Sequence, residues 1–329
     1  MGNPLNIVFE PISSRDDILT QVLRLLQVEG ALTSCIRLRS PWGIRADLPS
    51  GKFSFHVVSQ GECYLVSGDD PPTKLRKGDL VFFPHGCAHT LVDHPDTVPG
   101  SIEDLLNSAP GHDGRVPAST ATSDQSIVIC GAYSYGSDLP FPFIKGLPEI
   151  LILPSDIQDH AVRSLIALLT HEALNPLLGS MLATNRLLDA LLIYALRLWV
   201  HQSVAVEETW LSALYNANIG PVIQAIHQAP ERLWTIDEMA RLAGNSPATL
   251  TRKFKSLVGE APLAYITRWR MMLAAELLRG GHSIDAVAER VGYEDRFAFT
   301  KAFKRVRGVT PGLLVPSRSI HEESSRASL

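Results

Sequence analysis

The side chains best spaced to do chemistry lie between Trp234 and Pro311, where one pattern is written twice. The first copy runs Ile236-Asp237, Met239-Ala240, Ala243-Gly244, Phe254-Lys255, Gly259 and Pro262; the second runs Ile284-Asp285, Val287-Ala288, Val291-Gly292, Phe303-Lys304, Gly308 and Pro311. The offset is 48 residues up to the first glycine and 49 from the Phe-Lys pair onward. Each copy ends in a basic segment that also carries hydroxyls. Such groups on one helix face recognise phosphates and base edges through hydrogen bonds and ion pairs, with no covalent step.

The elements that must hold these groups follow from local signals. Thr235 caps a short helix that turns Ile236, Met239, Ala240 and Leu242 inward, and Gly244 supplies the turn. Ser246 and Pro247 open a second helix to about Val258, burying Leu250, Phe254 and Leu257. In the second copy a helix from Asp295 to Arg307 buries Phe299, Phe303 and Val306. Each pair reads as a helix-turn-helix. Base edges are met by the N-terminal half of such a helix, which assigns Ala248, Thr249, Arg252, Arg296, Phe297, Thr300 and Lys301 to base reading. Lys253, Lys255, Lys304, Arg305 and Arg307 are assigned to phosphates. Between the copies, Pro262 to Leu278 is one helical pattern of 17 residues, roughly 25 Å long at about 1.5 Å per residue. A spacer of that order sets two reading helices about one DNA turn apart.

Charge supports the division. The whole chain of 329 residues carries −4, which alone argues against a polyanionic partner. Residues 211–318, however, hold 15 Lys/Arg against 9 Asp/Glu, and residues 1–210 hold 14 against 23. A basic module joined to an acidic one fits a length of about two domains. The N-terminus lacks a basic segment followed by an apolar run, and the most apolar stretch, Leu187 to Val200, is broken by Asp189 and Arg197. A cytoplasmic location without membrane contact is therefore expected, with Cys35, Cys63, Cys87 and Cys130 reduced.

The first half reads as a helix (Arg15 to Gln27) followed by short β-rich runs at 35–38, 53–58, 62–66, 74–76, 80–84 and 126–133. That spacing indicates a sandwich or small barrel. The Pro-, Gly- and Ser-rich stretch 94–125 reads as a flexible insertion. Ser155-Asp156 caps a helix to Leu174, a second helix runs from about Leu177 to His201, and 204–208 is a linker. The helical pair packs on the β domain or pairs with a second chain. The expected fold is thus α+β in two domains: a β domain at 15–150, a helical linker or dimerisation segment at 155–203, and an all-α domain at 211–316 with two helix-turn-helix units.

Residues 219–311 resemble the DNA-binding domain of AraC/XylS transcription regulators. The resemblance rests on Ala264 through Arg270, Ala286-Val287-Ala288, Val291-Gly292-Tyr293, Phe299, Ala302-Phe303-Lys304 and Gly308 through Pro311. Leu314-Val315 replaces the usual aromatic-Arg pair, and Arg296-Phe297 stands where small polar residues are common. Gly78, Pro84, Gly86 and His89 follow the second cupin motif; in the first motif His56 is kept and Ser54 replaces a histidine. Residues 15–150 therefore resemble a cupin sensor, which implies a cupin-like β-barrel with flanking helices. The surroundings of Cys35 and Cys130 are similar to those of the reactive-chlorine-responsive branch, which implies that they sense. Three readings stay open there: Zn²⁺ on His56, His89 and Cys130, oxidation of Cys35 and Cys130 to a disulfide, or plain buried thiols. The resemblance implies a non-enzymatic activator whose partners are promoter DNA, RNA polymerase, a second copy of the chain and an oxidant or small-molecule signal. The alternative is a cupin oxygenase or isomerase fused to a DNA module.

Overall fold

The computed structural model describes residues 17–26, 28–46, 53–101, 125–135, 142–203 and 209–316. Most of the insertion expected at 94–125, the linker at 204–208 and the tail after Pro316 lie outside the described residues.

Two five-stranded sheets lie face to face. One has the order β1 (Val28–Arg39), β9 (Gln125–Tyr135), β3 (Phe53–Gln60), β6 (Leu80–Phe83), β10 (Leu151–Leu153). The other has the order β5 (Thr73–Arg76), β4 (Glu62–Val66), β7 (His89–Val92), β2 (Gly43–Ala46), β8 (Gly100–Ser101). Among the described residues no ladder joins the sheets, so the expected barrel is realised as an open sandwich. The chain crosses between sheets at Gly61, whose φ of 75° closes the turn from β3 to β4. The short strands β2, β7, β8 and β10 went unforeseen. Runs of two to four residues carry too little alternation to show a period, and pairing alone makes them strands.

β3 lies between β9 and β6 and is buried on both faces. Phe53, Phe55 and Val57 pack under the helices, whereas Val58 belongs to the interior between the sheets. Alternation puts Ser54 and His56 on that same interior face.

Three helices cover the outer face of the first sheet: α1 (Ile18–Leu26), α3 (His160–Leu174) and α4 (Ser180–Ser203); the short α2 (Pro142–Lys145) precedes β10. The cap of α3 is Asp159, not Ser155-Asp156: its carboxylate accepts from the Val162 amide, while the Ser155 amide donates to Asp79 at 2.7 Å. α4 starts at Ser180, because Gly179 (φ 86°) and the Ser180 hydroxyl, 2.6 Å from the Leu177 amide, form a turn there. Its inner face seats on the sheet. The Tyr133 hydroxyl donates to the Leu188 carbonyl at 2.9 Å, and a Cβ on Gly30 would meet Leu188 at 2.6 Å.

The C-terminal domain contains α5 (Trp210–Tyr215), α6 (Ile219–Gln228), α7 (Ile236–Leu242), α8 (Pro247–Val258), α9 (Pro262–Arg279), α10 (Ile284–Arg290), α11 (Arg296–Arg307) and a closing 3₁₀ turn at Pro311–Leu314. The expected caps hold. Thr235 forms a capping box with Glu238, Ser246 caps α8, and Gly259 and Gly308 end α8 and α11 with left-handed backbone; Asp295, expected as the first residue of α11, is instead its cap. One apolar core runs from the first sheet through α3–α6 into the first helix-turn-helix. The second helix-turn-helix has its own core around Phe299 and Phe303.

The two turn glycines differ in cost. Gly244 (φ 60°) faces open space, and Gly244→Ala should cost about 1–2 kcal/mol for the left-handed backbone alone. At Gly292 (φ 77°) a Cβ would also lie 2.2 Å from the Glu231 carbonyl oxygen. Gly292→Ala is therefore expected to lower the urea midpoint clearly further than Gly244→Ala.

Candidate functional site

The candidate reading face is built by two amphipathic helices. On α8, Leu250, Phe254 and Val258 are buried, while Ala248, Arg252, Lys253 and Lys255 are exposed and Thr249 is half-buried. The core position expected for Leu257 belongs to Val258. On α11, Phe299, Ala302 and Phe303 are buried; Arg296, Phe297, Lys301, Lys304 and Arg305 are exposed and Thr300 is half-buried. Phe297 is 80 % exposed, an apolar ring held in solvent at the helix start. Arg296 leans toward Asp285, 3.5 Å away at the surface.

Arg307 departs from its assignment. It is 8 % exposed, with its guanidinium 5.8 Å from the centre of the Phe303 ring one turn earlier. The long side chain folds onto the core of the last turn instead of projecting with Lys304, so the phosphate role is withdrawn. Other cations of this domain are also committed. Arg268 pairs with Glu260 at 2.8 Å, and Arg270 donates to the Pro230 and Arg232 carbonyls at 2.6 and 2.8 Å. The charge excess of the domain thus overstates what can face DNA. α9 joins the two reading units. Its 18 residues span roughly 27 Å at about 1.5 Å each.

In the sandwich, the strand register decides what the chemistry-bearing residues can do. His56 pairs across β3 and β9 with Cys130, and Ser34 pairs across β1 and β9 with Cys130. The His56 Nδ1 lies 3.0 Å from the Cys130 sulfur, and its Nε2 lies 2.7 Å from the His89 Nε2. The His89 Nδ1 lies 2.9 Å from the Cys87 carbonyl, which can only accept. That carbonyl orients the whole chain when both rings are neutral. His89 donates from Nδ1 and accepts at Nε2, His56 donates from Nε2 and accepts at Nδ1, and the Cys130 thiol donates. Burial, with His89 beside it, lowers His56 to about 3, and burial raises Cys130 to about 12. His56 and the Cys130 thiol are therefore uncharged at neutral pH.

This arrangement does not fit a cupin metal centre. His56 directs different nitrogens at Cys130 and at His89, so the three cannot converge on one ion as placed. Ser54, in the first histidine's position, is buried with no partner for its hydroxyl. Glu62 pairs with Lys74 at 2.7 Å on the surface. Among the described residues no group of three His, Cys, Asp or Glu side chains could hold a metal.

The disulfide reading also changes. Cys35 pairs with Ile129 while its neighbour Ser34 pairs with Cys130, so the two thiols point to opposite faces of the first sheet. Cys35 packs under the helices and Cys130 inside the sandwich. Bridging them would require a change of register, beyond what a disulfide tolerates. All four cysteines are free thiols.

Comparison with known proteins gives these two halves a common context. A cupin family model matches residues 17–201, taking in the helices α3 and α4, and a helix-turn-helix domain model matches residues 239–314. An AraC-like transcription regulator of Streptomyces lividans is 32% identical over 300 residues, covering 90% of this chain and 97% of that protein. The chain belongs to the AraC-like transcription regulators. The regulator MtrA of Neisseria gonorrhoeae is 31% identical over 301 residues, covering 90% of this chain and 97% of its own. The RCS-specific activator RclR of Escherichia coli is 27% identical over 305 residues, covering 90% and 96%. An AraC-like regulator binds DNA and is no enzyme, so the reading of a tethered cupin oxygenase is set aside. No helix among the described residues is long and apolar enough to cross a membrane.

Two measurements separate these roles. Lys304→Ala should reduce the slope of log affinity against log salt by about one, and Arg307→Ala should leave the slope unchanged while lowering the melting temperature. Iodoacetamide pulses on the native chain, read by mass spectrometry, should label half-buried Cys35 and Cys87 well before Cys63 and Cys130.

Proposed function

We propose that this regulator places α8 and α11 in successive major grooves on one face of promoter DNA and activates transcription through contact with RNA polymerase. The observation that carries the reading is the shared mounting of the two helices. Each buries its aromatic face and exposes its N-terminal half, and both units pack on α9. On this reading Ala248, Thr249, Arg252, Arg296, Phe297, Thr300 and Lys301 meet bases, and Lys253, Lys255, Lys304 and Arg305 meet phosphates. The protein works in the cytoplasm as a homodimer on adjacent half-sites. Activation agrees with the name of RclR, an RCS-specific transcriptional activator.

The signal enters through the cupin domain. Cys35 is half-buried against the helices, whereas Cys130 is buried beside His56 with its thiol neutral. Of Cys35 and Cys130, Cys35 is thus the one an oxidant meets first, and its reaction acts on the face that carries α4. Exposed Leu177, Leu178, Met181 and Leu182 at the start of α4 offer a surface to the second protomer.

A mobility shift on the chain's own upstream DNA tests the reading. Arg252→Ala with Lys301→Ala should cost at least about 2 kcal/mol of specific binding, and an unchanged footprint would overturn the assignment. In cells, Cys35→Ser should abolish the response of a reporter to hypochlorous acid while Cys130→Ser only weakens it.

A further inference from the structure

A cavity of about 720 Å³ opens where α1 and α4 of the sensor meet α5 and α6 of the DNA-binding domain. Its volume is in the roughly 300–1,000 Å³ range of small-molecule sites, which favour domain junctions. Leu19, Leu196, Val200, Leu211 and Leu214 form apolar walls. Asp17 and Arg197 are the two lining residues that carry charge. His227 also lines it, but burial lowers it to about 3, so it is neutral.

The two charges are not equally available. Both Asp17 carboxylate oxygens are committed to Thr20, one accepting from its amide at 3.0 Å and the other from its hydroxyl at 2.8 Å. Arg197 is exposed at the rim, 5.6 Å from the centre of the Tyr194 ring; its charge lowers the Asp17 carboxyl, but no carboxylate among the described residues lies within ion-pair distance of it, so its N–H groups stay open to a ligand. A guanidinium beside apolar walls selects an anion with an apolar body. The floor links the domains. His227 of α6 lies 3.3 Å from Gln21 of α1 and 2.7 Å from the Tyr265 hydroxyl of α9, which also accepts from the Trp210 indole at 3.1 Å.

We propose that this junction cavity binds a small amphipathic molecule with an apolar, ring- or chain-like body and one anionic group held by Arg197. The occupant touches α1 and α4 on one side and α5 and α6 on the other. Filling the cavity therefore stabilises the docked arrangement of the sensor against the first helix-turn-helix. This entry point is separate from the thiols of the sandwich. It rests on the docking of the two domains, not on the assignment of base-reading residues.

The probe is anilinonaphthalene sulfonate, an aromatic body with a single sulfonate, titrated into the full-length chain near neutral pH. One saturable fluorescence increase is expected, together with a higher melting temperature. Arg197→Glu should weaken binding at least about tenfold. Leu214→Trp should abolish it by filling the cavity, and Ala217→Trp at the rim serves the same purpose should Leu214→Trp melt without cooperativity. Absence of saturation, or variants that melt cooperatively and bind the dye like the parent, would overturn the proposal. The Arg252→Ala, Lys301→Ala protein should keep full dye binding, so a failure of the DNA assignment and a failure of this one remain distinguishable.

Discussion

The structure depends on α9, a helix buried along most of its length and shared between two cores. Tyr265, Ile266, Trp269 and Met272 join the core that begins in the first sheet. Met271, Ala274, Ala275 and Leu278 join the separate core of the second reading unit. Burial of that many large side chains, at roughly 25 cal/mol per Å² of apolar surface, makes the helix a rigid element and not a tether. The reading helices therefore keep their spacing through α9.

This sharing makes the two halves of the doubled motif unequal. The first unit is continuous with the sensor through α5, α6 and the Gln21, His227, Tyr265 and Trp210 network. The second contacts the rest of the chain mainly through α9. The N-terminal domain thus shares its core directly with the unit of α8, and the unit of α11 is joined to it through α9. Sequence repetition suggests two equivalent readers, whereas packing gives one coupled to the sensor and one carried.

The sandwich shows the same gap between residue type and role. Two histidines and a cysteine with ligand-like chemistry come together as expected, yet as a linear relay oriented by the Cys87 carbonyl. Enclosure holds His56 and the Cys130 thiol neutral, because charge is costly where water is excluded. A buried neutral thiol is a poor nucleophile, and that leaves the outward-facing Cys35 as the more accessible one.

What the sequence by itself determined is what short-range physics controls. Caps at Thr235 and Ser246, left-handed glycines at 259 and 308, and the helical period of the twin motif all act within a few residues. They were legible for that reason, as were the long strands β3 and β9. Tertiary structure alone decided matters that turn on register and packing over long separations. A shift in the β1–β9 ladder between Leu32 and Ser34 accompanies the placing of Cys35 and Cys130 on opposite faces. The fold of the last turn buried Arg307 while leaving Lys304 in solvent. The junction cavity exists only because α1 and α6, some 200 residues apart in the chain, are brought to its walls and meet at Gln21 and His227. No local pattern encodes such a meeting, because its energy comes from apolar area shared between distant segments.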